Sequence, residues 1–139
     1  MLKEINHLTF SVGSLEQSIA FYRDVLGAEL LVEGTKLAYF SLNGLWIALN
    51  VQKEGSRNEN HQTYTHVAFT IDESDFDRWL TKLTKLKVHI VPGRSRDERD
   101  KRSVYFTDPD GHLFELHTGS LEERLRFYRE EKPQLVFYD

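Results

Sequence analysis

The chain has 139 residues, 40% of them hydrophobic and 29% charged, which suits one globular domain and argues against disorder or a fibrous role. A net charge of −4 and a pI near 5.9 oppose a nucleic-acid partner, and no apolar run is long enough for a membrane span. There is no cysteine, so disulfides, thiolate ligands and a cysteine nucleophile are excluded, and any thiol chemistry must use a thiol from outside.

The opening MLKEINHLTF enters a strand-like pattern without a signal-peptide core, so a cytoplasmic protein is expected. Residues 5–12, INHLTFSV, are followed by a helix that Ser14 and Gln17 open as a capping box. Leu15, Ile19, Tyr22 and Leu26 stripe that helix until Gly27 closes it. Three strands are predicted next, over 29–33, 36–42 and 45–51, with Asn43-Gly44 as a two-residue hairpin turn. The stretch 52–62, QKEGSRNENHQ, has no apolar residue and is predicted to be a linker.

Residues 64–71, YTHVAFTI, then repeat the opening pattern, with His66 in the place of His7. A second helix is predicted with Ser74 and Asp77 at its start and Phe76, Trp79, Leu80 and Leu83 on its buried face. Strands over 87–92, 102–107 and 112–117 follow, the last two joined by the turn Asp108-Pro109-Asp110-Gly111. Each half therefore reads β-α-β-β-β, giving an α+β domain over 1–139 with modules at approximately 1–51 and 63–119. The tail, 120–139, has no counterpart in the first half. Ser120 and Glu123 begin a third helix there, striped by Leu121, Leu125 and Tyr128 and ending near Pro133.

Side chains alternate across a strand, so Leu8, Phe10 and Val12 oppose His7, Thr9 and Ser11. Val67, Phe69 and Ile71 likewise oppose His66, Ala68 and Thr70, and Phe114 and Leu116 oppose Glu115 and His117. Two imidazoles and a carboxylate thus fall on polar strand faces of equivalent modules. That triple suits a divalent cation and leaves coordination positions free, as a catalytic site requires. A lone histidine on a half-exposed sheet is ordinarily just polar surface; the matching register of the two repeats argues for the ligand reading. His61, His89, His112 and His117 read as surface or packing residues; of these His117 shares the face of Glu115, and a supporting role there is the alternative for it.

The segment 93–102, GRSRDERDKR, reads either as a solvated loop or as an anion clamp, because guanidinium groups grip phosphate or phosphonate oxygens two at a time. Arg94, first after Gly93, is the member expected to turn inward. Arg124 on the third helix is a second candidate, against the alternative of a solvated arginine on its outer face.

These segments together resemble the vicinal oxygen chelate superfamily, and within it the fosfomycin-resistance thiol transferases of the bacillithiol-using FosB type. The likeness rests on INHLTFSV, KLAYFSLNGLWIALN, YTHVAFTI and SVYFTDPDGHLFELHTGSLEERLRFYR in that order and spacing. It implies a glyoxalase-like, cup-shaped mixed sheet, with modules exchanged in a homodimer so that His7 serves a site completed by His66 and Glu115 of the partner copy. It implies a divalent metal on His7, His66 and Glu115, Mg²⁺ or Mn²⁺, with Zn²⁺ or Ni²⁺ as crystal substitutes. It places Thr9, Trp46, Tyr64, Arg94, Tyr105 and Arg124 around the phosphonate and oxirane, with Glu115, Tyr105 and Arg94 as the catalytic set. Thr9 departs from relatives that carry a cysteine there. Ala48 stands where glyoxalase I has a fourth ligand, so a more open metal site is expected.

The activity so implied is an alkyl-transferring reaction in which bacillithiol or L-cysteine opens the epoxide of fosfomycin. The rivals on the same scaffold are a metal-free drug-binding protein of the bleomycin-resistance kind and another metal-dependent lyase or dioxygenase.

Overall fold

The computed structural model describes residues 1–53, 63–94 and 96–138, and its contacts divide the chain into two units. Met1–Tyr64 and Thr107–His112 form the first; Thr65–Phe106 and Leu113–Asp139 form the second. Most of the linker predicted over 52–62, including His61, lies outside the described residues.

The first unit runs β1 (His7–Val12), α1 (Leu15–Ala20), β2 (Glu29–Glu33), β3 (Leu37–Leu42) and β4 (Leu45–Val51). Its sheet has the order β1-β4-β3-β2, with β1 parallel to β4 and the remaining pairs antiparallel. The second unit runs β5 (Val67–Thr70), α2 (Phe76–Lys85), β6 (His89–Val91), β7 (Ser103–Thr107) and β8 (Leu113–His117), in the matching order β5-β8-β7-β6 with β5 parallel to β8. The β-α-β-β-β duplication predicted from the repeat is therefore present, and α3 (Leu121–Glu131) follows it.

Local chemistry explains most boundaries. The Ser14 hydroxyl accepts the Gln17 N–H at 3.3 Å and starts α1, which widens into a π-helical turn over Phe21–Val25 before Gly27, at φ +75°, ends it. Ile19, Tyr22 and Leu26 are buried as their spacing predicts, while Leu15 is half-buried. Asn43 and Gly44 both have positive φ, which lets a two-residue turn match the twist of β3 and β4.

Two helix expectations are corrected. Ser74 does not cap α2; it lies inside a 3₁₀ turn, Glu73–Asp75, and the cap position falls on Asp75, whose carboxylate is taken by Arg78. Phe76 and Leu83 are buried on α2, but Leu80 is exposed. On α3, Ser120 caps the Glu123 N–H at 3.2 Å as expected, yet Leu121 and Leu125 are exposed and the buried anchor is Phe127. Phe127 lies about 200° around the helix from Leu125. Its larger ring decides which face turns in, and Arg124, three residues earlier, turns in with it.

The turn 107–112, which the repeat assigns to the second module, belongs with the first unit because a polar hub holds it there. Tyr22 donates to Asp108 Oδ2 at 2.8 Å, and His112 Nδ1 meets the same oxygen at 2.7 Å. Asp108 Oδ1 accepts the N–H groups of Asp110 and His112, and Asp110 accepts the Gly13 N–H. Burial, with Asp108 beside it, pushes the Tyr22 phenol far above its ordinary range. A Tyr22→Phe substitution would strand one lone pair of a buried carboxylate and is expected to lower stability by about 1.5–3 kcal/mol in urea unfolding.

Candidate metal and anion-binding site

The first unit presents His7, Thr9 and Trp46 on the strand faces predicted. His7 pairs in register with Trp46, and their rings lie 4.4 Å apart. Tyr39 packs edge-on against Trp46 at 5.3 Å. His7 Nδ1 is 2.6 Å from Asn6 Oδ1; an amide oxygen only accepts, so Nδ1 donates that bond. Thr9 is exposed opposite Ala48, and Tyr64 is also exposed in this unit.

The second unit places its polar residues on the same register. Ala68 pairs with Glu115 as Thr9 pairs with Ala48, so Ala48 does occupy the position equivalent to Glu115. His66, two residues before Ala68, shares its face, and the small alanine leaves room for the imidazole to reach the carboxylate. His66 Nε2 lies 2.9 Å from Glu115 Oε1, and Tyr105 stands edge-on to the His66 ring at 5.4 Å.

Glu115 is buried, which by itself raises its pKa, but hydrogen bonds from Ser103 and Tyr105 and the charges of His117 and Arg96 bring it below the usual carboxylate range. Arg96 Nη2 donates to the Tyr105 hydroxyl at 2.8 Å and lies 3.5 Å from Glu115 Oε2. Gly93 passes close to this tyrosine: a Cβ there would sit 3.2 Å from its ring. Ser103 Oγ bridges Glu115 Oε2 and His117 Nδ1.

The structure brings His66, Glu115 and Tyr105 together. It also brings Arg94 and Arg124 together, both against the buried carboxylate of Asp100. Arg94 Nη1 donates to Asp100 Oδ2 at 3.3 Å, and Arg124 donates to the Asp100 carbonyl at 3.3 Å and to the Tyr128 hydroxyl at 3.4 Å. Arg124 is thus on the inner face of α3. Arg96 approaches Tyr105 and Glu115; its side chain is 15% exposed against 40% for Arg94. Asp97 and Asp100 cap the 3₁₀ turn Glu98–Asp100, which places Asp100 between the two guanidinium groups. His7 belongs to the other unit, and among the described residues no three His, Asp or Glu side chains gather as a metal cluster.

Sequence reasoning missed Arg96, Asp100 and Ser103. Their signals were present: Asp97 and Asp100 have capping-box spacing, and Ser103 shares the period-two face of Tyr105.

The profile of the Glyoxalase/Bleomycin resistance protein/Dioxygenase superfamily matches residues 4–116. A metallothiol transferase FosB of Lysinibacillus sphaericus is 58% identical over 138 residues, which cover 99% of this chain and 98% of the relative. The chain belongs to the metallothiol transferase FosB family. It is a transferase, and its fold is the glyoxalase fold. The fosfomycin resistance protein FosX of Listeria monocytogenes, 37% identical, superposes with a TM-score of 0.83 over 92% of this chain and 100% of that one. A mutant of the same Listeria protein, complexed with Mn(II) and 1S,2S-dihydroxypropylphosphonic acid, is 36% identical with a TM-score of 0.81 over 92% of this chain and 99% of that one.

Asp100 yields a pH prediction. Burial would raise its pKa, but the Arg94 hydrogen bond, the Asp97 backbone N–H and the charges of Arg94 and Arg124 lower it below the ordinary 3.8. A folded value below the unfolded one means that the stabilisation is complete above the unfolded pKa and is lost as pH falls through the folded value. Asp100→Asn is expected to cost about 1–3 kcal/mol at neutral pH. The gap to the wild type should narrow below about pH 4 in denaturant titrations at stepped pH.

Proposed function

We propose that this protein is a metal-dependent thiol transferase that opens the epoxide of fosfomycin with bacillithiol or L-cysteine and so confers resistance. The observation that carries this reading is the His66–Glu115 pair, an imidazole nitrogen and a buried, ionised carboxylate oxygen 2.9 Å apart on a register that the first unit repeats with His7. Its support from relatives is the FosB identity and the Mn(II) in the Listeria neighbour.

The donor set fits a divalent cation, Mg²⁺ or Mn²⁺. His7, His66 and Glu115 would hold it, with His7 furnished by the first unit of a partner copy in a homodimer. Asn6 engages His7 Nδ1, so Nε2 is the nitrogen that would ligate, and Glu115 is kept charged despite burial. When bound, such an ion supplies Lewis acidity to the carbon–oxygen bond that breaks.

The chain's own residues bind and orient. The phosphonate is assigned to Arg94 and Arg124, whose guanidinium groups are both held against one carboxylate, Asp100. The Tyr105 hydroxyl accepts from Arg96 and donates to Glu115, which fixes its place beside the ligand set. Thr9, Trp46 and Tyr64 supply the first unit's contacts to substrate. The external thiolate attacks an epoxide carbon; a C–S bond forms as the C–O bond breaks, and the freed oxygen takes up a proton to become a hydroxyl. Arginine charge matters because both reactants are anions. The reduced thiol pool that this reaction draws on places the enzyme in the cytosol.

In a thiol-consumption assay with fosfomycin and Mn²⁺, Glu115→Ala is expected to lose at least about 100-fold in kcat/KM, the upper range for residues that merely support a ligand. Full metal-dependent transfer by that variant would sink the assignment. Fosfomycin binding without thiol consumption by the wild type would instead favour the metal-free sequestering protein.

A further inference from the structure

Ser103 and His117 are assigned no role by the reading above, yet their side chains form a closed arrangement behind Glu115. Ser103 Oγ lies within hydrogen-bond distance of Glu115 Oε2 and 2.6 Å from His117 Nδ1. A carboxylate can only accept. The one hydroxyl proton of Ser103 therefore goes to Glu115, and the Ser103 oxygen must accept the proton of His117 Nδ1. The direction of both bonds is fixed by this count of donors.

The consequence lies at the carboxylate. Oε2 receives Ser103 and has Arg96 at 3.5 Å, and Oε1 faces His66 Nε2 at 2.9 Å, with Tyr105 donating a further hydrogen bond to the same carboxylate. The backbone makes space for this support. A Cβ on Gly119 would lie 2.8 Å from His117 Nε2 and 2.9 Å from Lys101 Cγ, so any side chain there would drive the ring from its place. Ser103 sits on β7 with Tyr105, and His117 sits on β8 with Glu115, each pair two residues apart on one face.

We propose that Ser103, backed by His117, is a positioning residue for the reaction. It reserves Oε2 and presents Glu115 to a cation through Oε1, and it fixes the proton of His117 on Nδ1. This inference rests on the metal reading above and concerns a residue that does not itself touch the ion.

The test uses the full-length protein, stripped of metal and titrated with Mn²⁺ alone, with free Mn²⁺ read from its electron paramagnetic resonance signal. Ser103→Thr and Ser103→Val differ from each other by the hydroxyl and hardly in shape. The threonine variant is expected to stay within a few-fold of the wild-type dissociation constant. The valine variant is expected to bind about 10–100-fold more weakly, the range for groups that orient a ligand. Thermal unfolding of the two metal-free variants reads any general loss of structure, which would weaken both alike. Equal affinity in the two variants, in either direction, overturns the proposal. His66→Ala keeps this failure separate from failure of the metal site. Wild-type affinity in that variant would remove the site itself, whereas lost affinity there with equal Thr and Val variants removes only the role given to Ser103.

Discussion

A carboxylate with 8% of its side chain exposed stays ionised only when hydrogen bonds and positive charge outweigh the loss of water, and at Glu115 they do. The rest of the site follows from that balance. Ser103 and Tyr105 donate from one neighbouring strand, and Arg96 comes from the loop before it, so the sheet and loop must be built together to keep the charge. His66 then meets a fixed anion instead of a carboxylic acid that could turn away or give up its charge.

The same logic shapes the anion-binding half. Asp100 is buried between Arg94 and Arg124, and a two-residue capping arrangement with Asp97 holds it there. One carboxylate shared by two guanidinium groups holds both in place. An uncompensated pair of arginines would repel.

Duplication contributes geometry and divergence contributes chemistry. Thr9 with Ala48 and Ala68 with Glu115 occupy matching positions in the two registers, so identical folds offer one carboxylate where two could stand. The first unit uses its equivalent space for aromatic surface, Trp46 beside His7, with Tyr39 against it.

The linear sequence by itself determined the repeat, the strand faces and the turn chemistry. Period-two alternation, Asn43-Gly44 and the caps at Ser14 and Ser120 are local signals whose physics acts within a few residues. It also placed His7, His66 and Glu115 on equivalent faces, because register follows from pattern. Tertiary structure decided what local signals could not reach. Phe127, not Leu121 or Leu125, is the buried anchor of α3, with Arg124 on its side; Asp108 found Tyr22 across the first unit; Arg96 joined Tyr105 and Glu115 while Arg94 joined Asp100. Each of these outcomes depends on which distant partner fills a space or neutralises a charge, and such partners are chosen only when the chain has folded.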